Sequence, residues 1–262
     1  MKIIWNPEDA IGNRITSIAA SDSDTSYPDE NLLDENVGLL WQSSRLTGVG
    51  DVTLTFSCPH DVGSTTVIAV FGINGATSAS IAASYTISGT PHIIEAVPFD
   101  LHPSSAVYYD RIWAEYTGIY LEGVGTTIDI NYVVTLSGGT LYSASEVVGG
   151  EAISFPDPQY GLSQSRVDKS IKQELAGGGY YIHDANKPRT FNLSWLMTRD
   201  DEFEDLDSLY NVRGSKPLAM LISEALNDDR KWCGYFHMTD APNATHDMPS
   251  HSAVSLSLRE AC

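Results

Sequence analysis

Basic residues, cysteines and long apolar runs are all scarce in this sequence, and each shortage closes off a class of protein. Fifteen Lys and Arg face 34 Asp and Glu, a net charge of −19 with histidine neutral, so nucleic acid is not an expected partner. The three cysteines, Cys58, Cys233 and Cys262, lack the paired spacing of a zinc site or a disulfide framework and are read as reduced thiols. No segment has the continuous apolar length of a membrane helix. The opening Met1-Lys2-Ile3-Ile4-Trp5-Asn6-Pro7 lacks the apolar core of a secretory leader. The expectation is a protein made in a cytoplasm and not inserted in a membrane. No Gly-x-Ser-x-Gly elbow, P-loop, dinucleotide fingerprint or His-Glu-x-x-His occurs, so neither an enzyme nor a cofactor is expected.

Apolar residues are plentiful, at 42% of 262, which is material for real cores. Between Val52 and Leu141 they come in short β-branched or aromatic runs broken by Gly, Pro, Asn and Ser. Val52–Phe56, Thr66–Phe71, Ser80–Tyr85, Arg111–Tyr116 and Thr127–Tyr132 are the examples. Several alternate apolar with polar, the pattern of half-buried strands, and their spacing suits a β-sandwich or barrel. Val147-Val148-Gly149-Gly150, followed by Phe155-Pro156-Asp157-Pro158, is read as a break, because glycines relax a strand and prolines end it. The expected domains are therefore 1–147, all β, and 148–262. Charge supports the division: residues 1–146 hold 17 acids and 4 bases, a balance of −13, and residues 147–262 hold 17 and 11, a balance of −6.

The second half has a different texture. Residues 166–175 and Tyr180–His183 flank Gly177-Gly178-Gly179 and read as a hairpin, and Thr190–Leu196 alternates. A helix is expected over 199–213. Thr198 would be its N-cap, acids crowd its first turns, Gly214 can close it, and Phe203, Leu206, Leu209 and Tyr210 share one face. Pro217–Ser223, Lys231–Met238 and Ser252–Arg259 supply further strands. The expectation is a mainly β chain: an N-terminal jelly-roll sandwich, then an α+β domain with one helix on an antiparallel sheet.

In the first half, Tyr27-Pro28, Asn31-Leu32-Leu33-Asp34, Trp41-Gln42-Ser43-Ser44, Val52–Phe56 and Ile68–Asn74 follow one another in an order that resembles discoidin-like, galactose-binding-type jelly rolls of phage virion proteins. The triple-glycine hairpin, Arg189–Trp195, the acidic helix and Gly214–Leu218 are similar to ring-forming domains of phage tail-tube, distal-tail and baseplate proteins, although a distal-tail protein usually carries its ring domain first. The resemblance implies a structural component of a phage tail or baseplate, located in the virion. Its partners would be copies of itself in a ring, expected as a hexamer, together with tail-tube, hub and other baseplate proteins. The hairpin at 166–183 is the candidate for reaching a neighbour. The alternatives are a glycan-binding adhesion module that recognises host saccharide, and a head-decoration or neck protein.

Several constellations have a chemical reading beside a plain one. Trp41, Arg45, Asn74, Tyr108 and Tyr109 are the candidate glycan-facing or mouth residues, although a tryptophan at position 41 is more often a core residue in such a sandwich. Asp22, Asp24, Asp29, Glu30, Asp34 and Glu35 offer the oxygens calcium takes, and discoidin-like domains sometimes hold calcium near this edge. A solvated acidic loop is the plain reading, and no metal is assigned. His237, Asp240, His246, Asp247 and His251 have metal-ligating chemistry, but Pro242, Asn243 and Pro249 mark that segment as a loop. The acid pairs Asp200-Asp201 and Asp228-Asp229 suit a helix start and a turn better than glycosidase work.

Overall fold

The computed structural model describes residues 1–5, 13–35, 38–44, 50–61, 63–101, 110–117, 127–139, 141–158, 162–174, 180–183, 187–197, 200–223, 232–248 and 251–261. They form two compact units, Met1–Phe155 with Leu218–Gly234, and Pro156–Pro217 with Tyr235–Cys262. As expected, the chain is mainly β, and the described residues form antiparallel sheets and one α-helix.

The strands of the first unit are β1 (Lys2–Ile4), β2 (Ile18–Ala20), β3 (Trp41–Gln42), β4 (Val52–Asp61), β5 (Thr66–Ile73), β6 (Ser78–Ile87), β7 (Thr90–Asp100), β8 (Asp110–Tyr116), β9 (Thr127–Ser137), β10 (Ser143–Ala144) and β11 (Glu146–Ser154). One sheet runs β2-β4-β9-β6-β7. Strand β4 buries Val52, Leu54, Phe56 and Cys58, and β9 buries Ile130, Tyr132, Val134 and Leu136. Their alternate residues are less buried, which is why period two was legible there. The opposing sheet is built on β5 and β11, paired antiparallel from Thr66↔Glu151 to Phe71↔Glu146. Strand β5 is buried on both faces over Thr66–Phe71, hence its unbroken apolar run. Ile68, Val70, Ile112 and Ala114 meet Leu54, Phe56, Ile81 and Tyr132 in one core, and the two sheets close as a jelly-roll sandwich.

Three sequence expectations are corrected here. Gly149 and Gly150 do not interrupt a strand but lie inside β11. A Cβ on Gly149 would come within 2.8 Å of Ile15 Cδ1 and Ile68 Cδ1, so glycine serves close packing rather than a turn. The segment around 217–223 pairs with the first unit: β16 (Leu218–Leu221) runs antiparallel to β1, with Ile3 opposite Met220. Strand β7 was missed altogether because Pro91 and Pro98 interrupt it. As the last strand of its sheet it tolerates them. Ser88 (φ +49°) and Gly89 (φ +83°) turn β6 into β7 with the paired positive φ of a tight hairpin.

The second unit centres on β15 (Arg189–Met197) and β19 (His251–Glu260), in register from Thr190↔Arg259 to Met197↔Ser252. Beside β15 lies β12 (Ser163–Arg166), and beside β19 lie β17 (Cys233–Met238) and β18 (Asn243–Met248). The hairpin of β13 (Ile171–Glu174) and β14 (Tyr180–His183) is narrower than the expected 166–183, since Arg166 pairs with Arg189 in the main sheet and the hairpin strand begins only at Ile171. The segment read as a loop between Pro242 and Pro249 is β18, with the prolines just outside its ends. Helix α1 (Asp200–Arg213) buries Leu206 and Leu209, with Phe203 and Tyr210 half-buried on the same face, and Gly214 N–H donates to the Tyr210 carbonyl at 2.7 Å. Its φ of +57° makes Gly214 the left-handed stop that the sequence suggested. The proposed cap Thr198 lies outside the described residues.

Arg189 is the most deeply buried cation here. Its guanidinium grips Glu260 through Nε at 2.9 Å and Nη2 at 2.6 Å, with the rings of Phe191 and Phe236 each 5.5 Å away. Such a forked, aromatic-flanked pair satisfies a charge that would otherwise be costly to bury.

Candidate functional site

The Tyr27–Glu35 region resolves into a short 3₁₀ helix, Asp29–Leu33, whose Leu32 plugs the core. Asn31 Nδ2 donates to the Leu40 carbonyl at 2.9 Å and so ties the helix to the approach of β3. Strand β3 pairs with β10, Trp41 opposite Ala144 and Gln42 opposite Ser143. Ser143 and Asn74 exchange backbone hydrogen bonds at 2.9 and 3.1 Å. These contacts make one stiff corner at the end of the first unit's sandwich, and it carries two of the five proposed mouth residues.

Trp41 is fully buried beside Leu32 and Tyr142 in the core, so its ring pins the corner from within and offers no face to a sugar. Asn74 is exposed on the same corner. Arg45, Tyr108 and Tyr109 lie outside the described residues.

Three acids of the stretch are engaged by hydrogen bonds within the first unit. Asp24 Oδ1 accepts from Ser26 N–H at 2.8 Å, Asp29 Oδ2 accepts from Ala20 N–H at 2.9 Å, and Asp22 accepts from the Ser44 hydroxyl. The first is a local turn, and the other two tie the stretch to the end of β2 and to Ser44 beyond β3.

The decisive residue was not singled out in the sequence. Glu146, the first residue of β11, is completely buried, and both its carboxylate oxygens lack a hydrogen-bond partner. Burial, reinforced by the negative fields of Asp34 and Glu35, pushes its carboxyl up to about 9; the Glu35 amide offsets this slightly, at a geometry too loose for a regular hydrogen bond. Glu35 itself sits at φ +59°, an unusual backbone for a residue with a side chain. A buried carboxylate with like charges nearby needs either a proton or a cation. Asp34 and Glu35, whose fields reach the buried carboxylate, are the residues on which a cation reading would rest. Among the described residues no three acidic, imidazole or thiol side chains close on one point, so backbone carbonyls would have to complete the oxygen shell. The signal was there in the sequence, since Glu146 is the lone charge in the small and apolar run Ser143–Gly150.

Among solved structures, the chain is similar to carbohydrate-binding modules. One is the family 32 module from Clostridium perfringens NanJ in complex with galactose, at 12% identity and a TM-score of 0.36, covering 57% of this chain and 99% of that one. A second is CBM32-3 from a family 31 glycoside hydrolase of Clostridium perfringens, at 14% identity and a TM-score of 0.37, covering 53% and 91%. A third is a pectin-binding module, at 16% identity and a TM-score of 0.32, covering 55% and 96%. No family model and no curated protein matches the chain. These are distant likenesses of backbone, and the residues of the corner carry the functional argument.

The remaining candidates give less. Of the C-terminal cluster, His237 lies on β17 and Asp240 just beyond it, while the side chains of His246, Asp247 and His251 are not described. Cys58 and Cys233 are free and buried. Burial pushes the Cys58 thiol up to about 12, which removes it as a nucleophile at neutral pH.

Proposed function

We propose that this chain is a non-enzymatic recognition protein whose jelly roll binds host saccharide at the corner formed by the 3₁₀ helix, β3, β10 and the residues after β5. The observation that carries this reading is Glu146. A carboxylate buried without a partner beneath a loop bearing Asp34 and Glu35 is the foundation of a cation-pinned rim. Calcium there would cross-link the 29–41 segment to β11 and hold the rim rigid, which lowers the entropy cost of gripping a flexible polar ligand. Asn74 supplies an exposed amide on that rim, and Arg45, Tyr108 and Tyr109 complete the proposed ligand-facing set. Glycan-array screening of the full chain tests the reading. Binding that falls on Asn74→Ala and on Tyr108→Ala supports it, and an array without signal at high protein concentration refutes it.

A second reading, a phage tail or baseplate component that assembles in a ring with copies of itself, is favoured by β7. This eleven-residue edge strand leaves Ile93 83% and Val97 37% exposed. Exposed apolar side chains on an edge strand invite pairing with another chain, here over the stretch between Pro91 and Pro98 that keeps its backbone donors. Imaging of purified particles, with the polypeptide found in the tail or absent, decides that reading.

A further inference from the structure

The second unit carries a row of side chains that neither reading uses. On the sheet face opposite the buried Phe191, Leu193, Leu256 and Leu258, residues in direct cross-strand register are Ser165, Thr190, Arg259 and His237. The row crosses β12, β15, β19 and β17 in turn. The hydroxyls of Ser165 and Thr190 lie 2.5 Å apart, and the next row, Ser163, Asn192 and Ser257, is linked by hydrogen bonds of 3.4 and 3.0 Å. This face is therefore a hydroxyl and amide surface with cationic groups at one end.

Those cationic groups are uncompensated. Among the described residues Arg259, Lys169 and His237 make no ion pair and no side-chain hydrogen bond. The nearest acids in sequence are committed elsewhere: Asp168 faces Lys187 at 4.0 Å, Glu260 turns to the opposite face to hold Arg189, and Asp240 accepts from Thr239 at 3.1 Å. Arg259 lies opposite His237 in register, and His237 is held below its ordinary imidazole range by burial first, then by the positive fields of Arg259 and Lys169. In a chain with 34 acids and 15 bases, two cations and an imidazole with no carboxylate partner among the described residues run against the overall charge. A bound anion would relieve the repulsion. A guanidinium fork with hydroxyl donors beside it suits the several oxygens of a phosphoryl or sulfuryl group.

We propose that Arg259, Lys169, His237 and the Thr190 hydroxyl, oriented by Ser165, form an oxyanion site on the second unit that takes a phosphate or sulfate group, either free or as a substituent of a saccharide. It does not depend on the saccharide reading of the first unit. The test is an NMR titration of the full chain in low-chloride buffer, following the His237 imidazole resonances assigned with H237Q. The probes are inorganic phosphate, inorganic sulfate, a sulfated hexose and the unsubstituted hexose. Saturable shifts with phosphate and sulfate but not with plain hexose are expected, with at least tenfold weakening in R259Q and in K169Q and no change in K216Q, an exposed lysine in the same unit. A sulfated hexose that binds tighter than sulfate assigns the group to a saccharide, and equal affinities assign it to the free anion. Lys169 lies on an exposed connection, so K169Q is informative even where R259Q perturbs the sheet. Absence of saturation, or equal weakening in K216Q, overturns the proposal.

Discussion

Replacing Glu146 by glutamine keeps the shape of the side chain and removes the charge that the corner has to manage. In the folded state its carboxyl is raised from 4.5 to about 9, so without a cation the native protein holds a proton that the unfolded chain releases. The stability tied to that proton is fully present below pH 4.5 and is lost progressively as pH rises from 4.5 towards 9. At pH 7 the penalty amounts to about 3 kcal/mol, from ~1.4 kcal/mol per pH step above the unfolded value. In EDTA at pH 7, Glu146→Gln therefore melts roughly 6–12 °C above wild type, using about 2–4 °C per kcal/mol for a chain of this size. Calcium at one hundred times its dissociation constant returns ~2.7 kcal/mol to wild type and little to the variant. Differential scanning calorimetry at pH 5, 7 and 8.5, with calcium and with EDTA, reads all of this. Identical melting of variant and wild type in EDTA at pH 7, together with equal calcium shifts, would refute the reasoning.

Other substitutions probe the scaffold. Trp41→Ala empties a fully buried site in the core behind the corner and should cost about 3–5 kcal/mol in urea unfolding. Gly149→Val drives a branched side chain into Ile15 and Ile68 and should destabilise by about 1–3 kcal/mol or more by the same assay. Arg189→Met leaves the Glu260 carboxylate without its guanidinium partner and the rings of Phe191 and Phe236 without their cation, and should lower stability by about 3–5 kcal/mol. His60, buried with Nδ1 2.6 Å from the Thr66 hydroxyl, is held below its ordinary range chiefly by burial. Its contribution is present above pH 6.5 and lost as pH falls through the depressed value. His60→Gln should flatten that acid limb in a pH series of melts.

The strands that period two reveals are those with one face on the core. Strands β4, β9 and β19 were legible because Leu54, Ile130 and Leu256 alternate with less buried neighbours. Strand β7 was not, because an edge strand needs little apolar character and admits Pro91 and Pro98. Gly149 misled because a glycine required by close packing looks the same in sequence as one that relaxes a turn. Of the mouth residues, Trp41 pairs with Ala144 and Asn74 with Ser143, and the buried ring of Trp41 agrees with the core reading that a tryptophan in such a sandwich favours. Glu146 escaped notice because its meaning lies in burial and in the fields of Asp34 and Glu35, more than one hundred positions earlier in the chain.

The most direct measurement is binding of the full chain to its strongest array glycan by isothermal titration calorimetry, in calcium and then in EDTA. The account predicts a saturable isotherm in calcium that weakens sharply in EDTA and in the Glu146→Gln variant. Heat of saccharide binding absent in both buffers would contradict it.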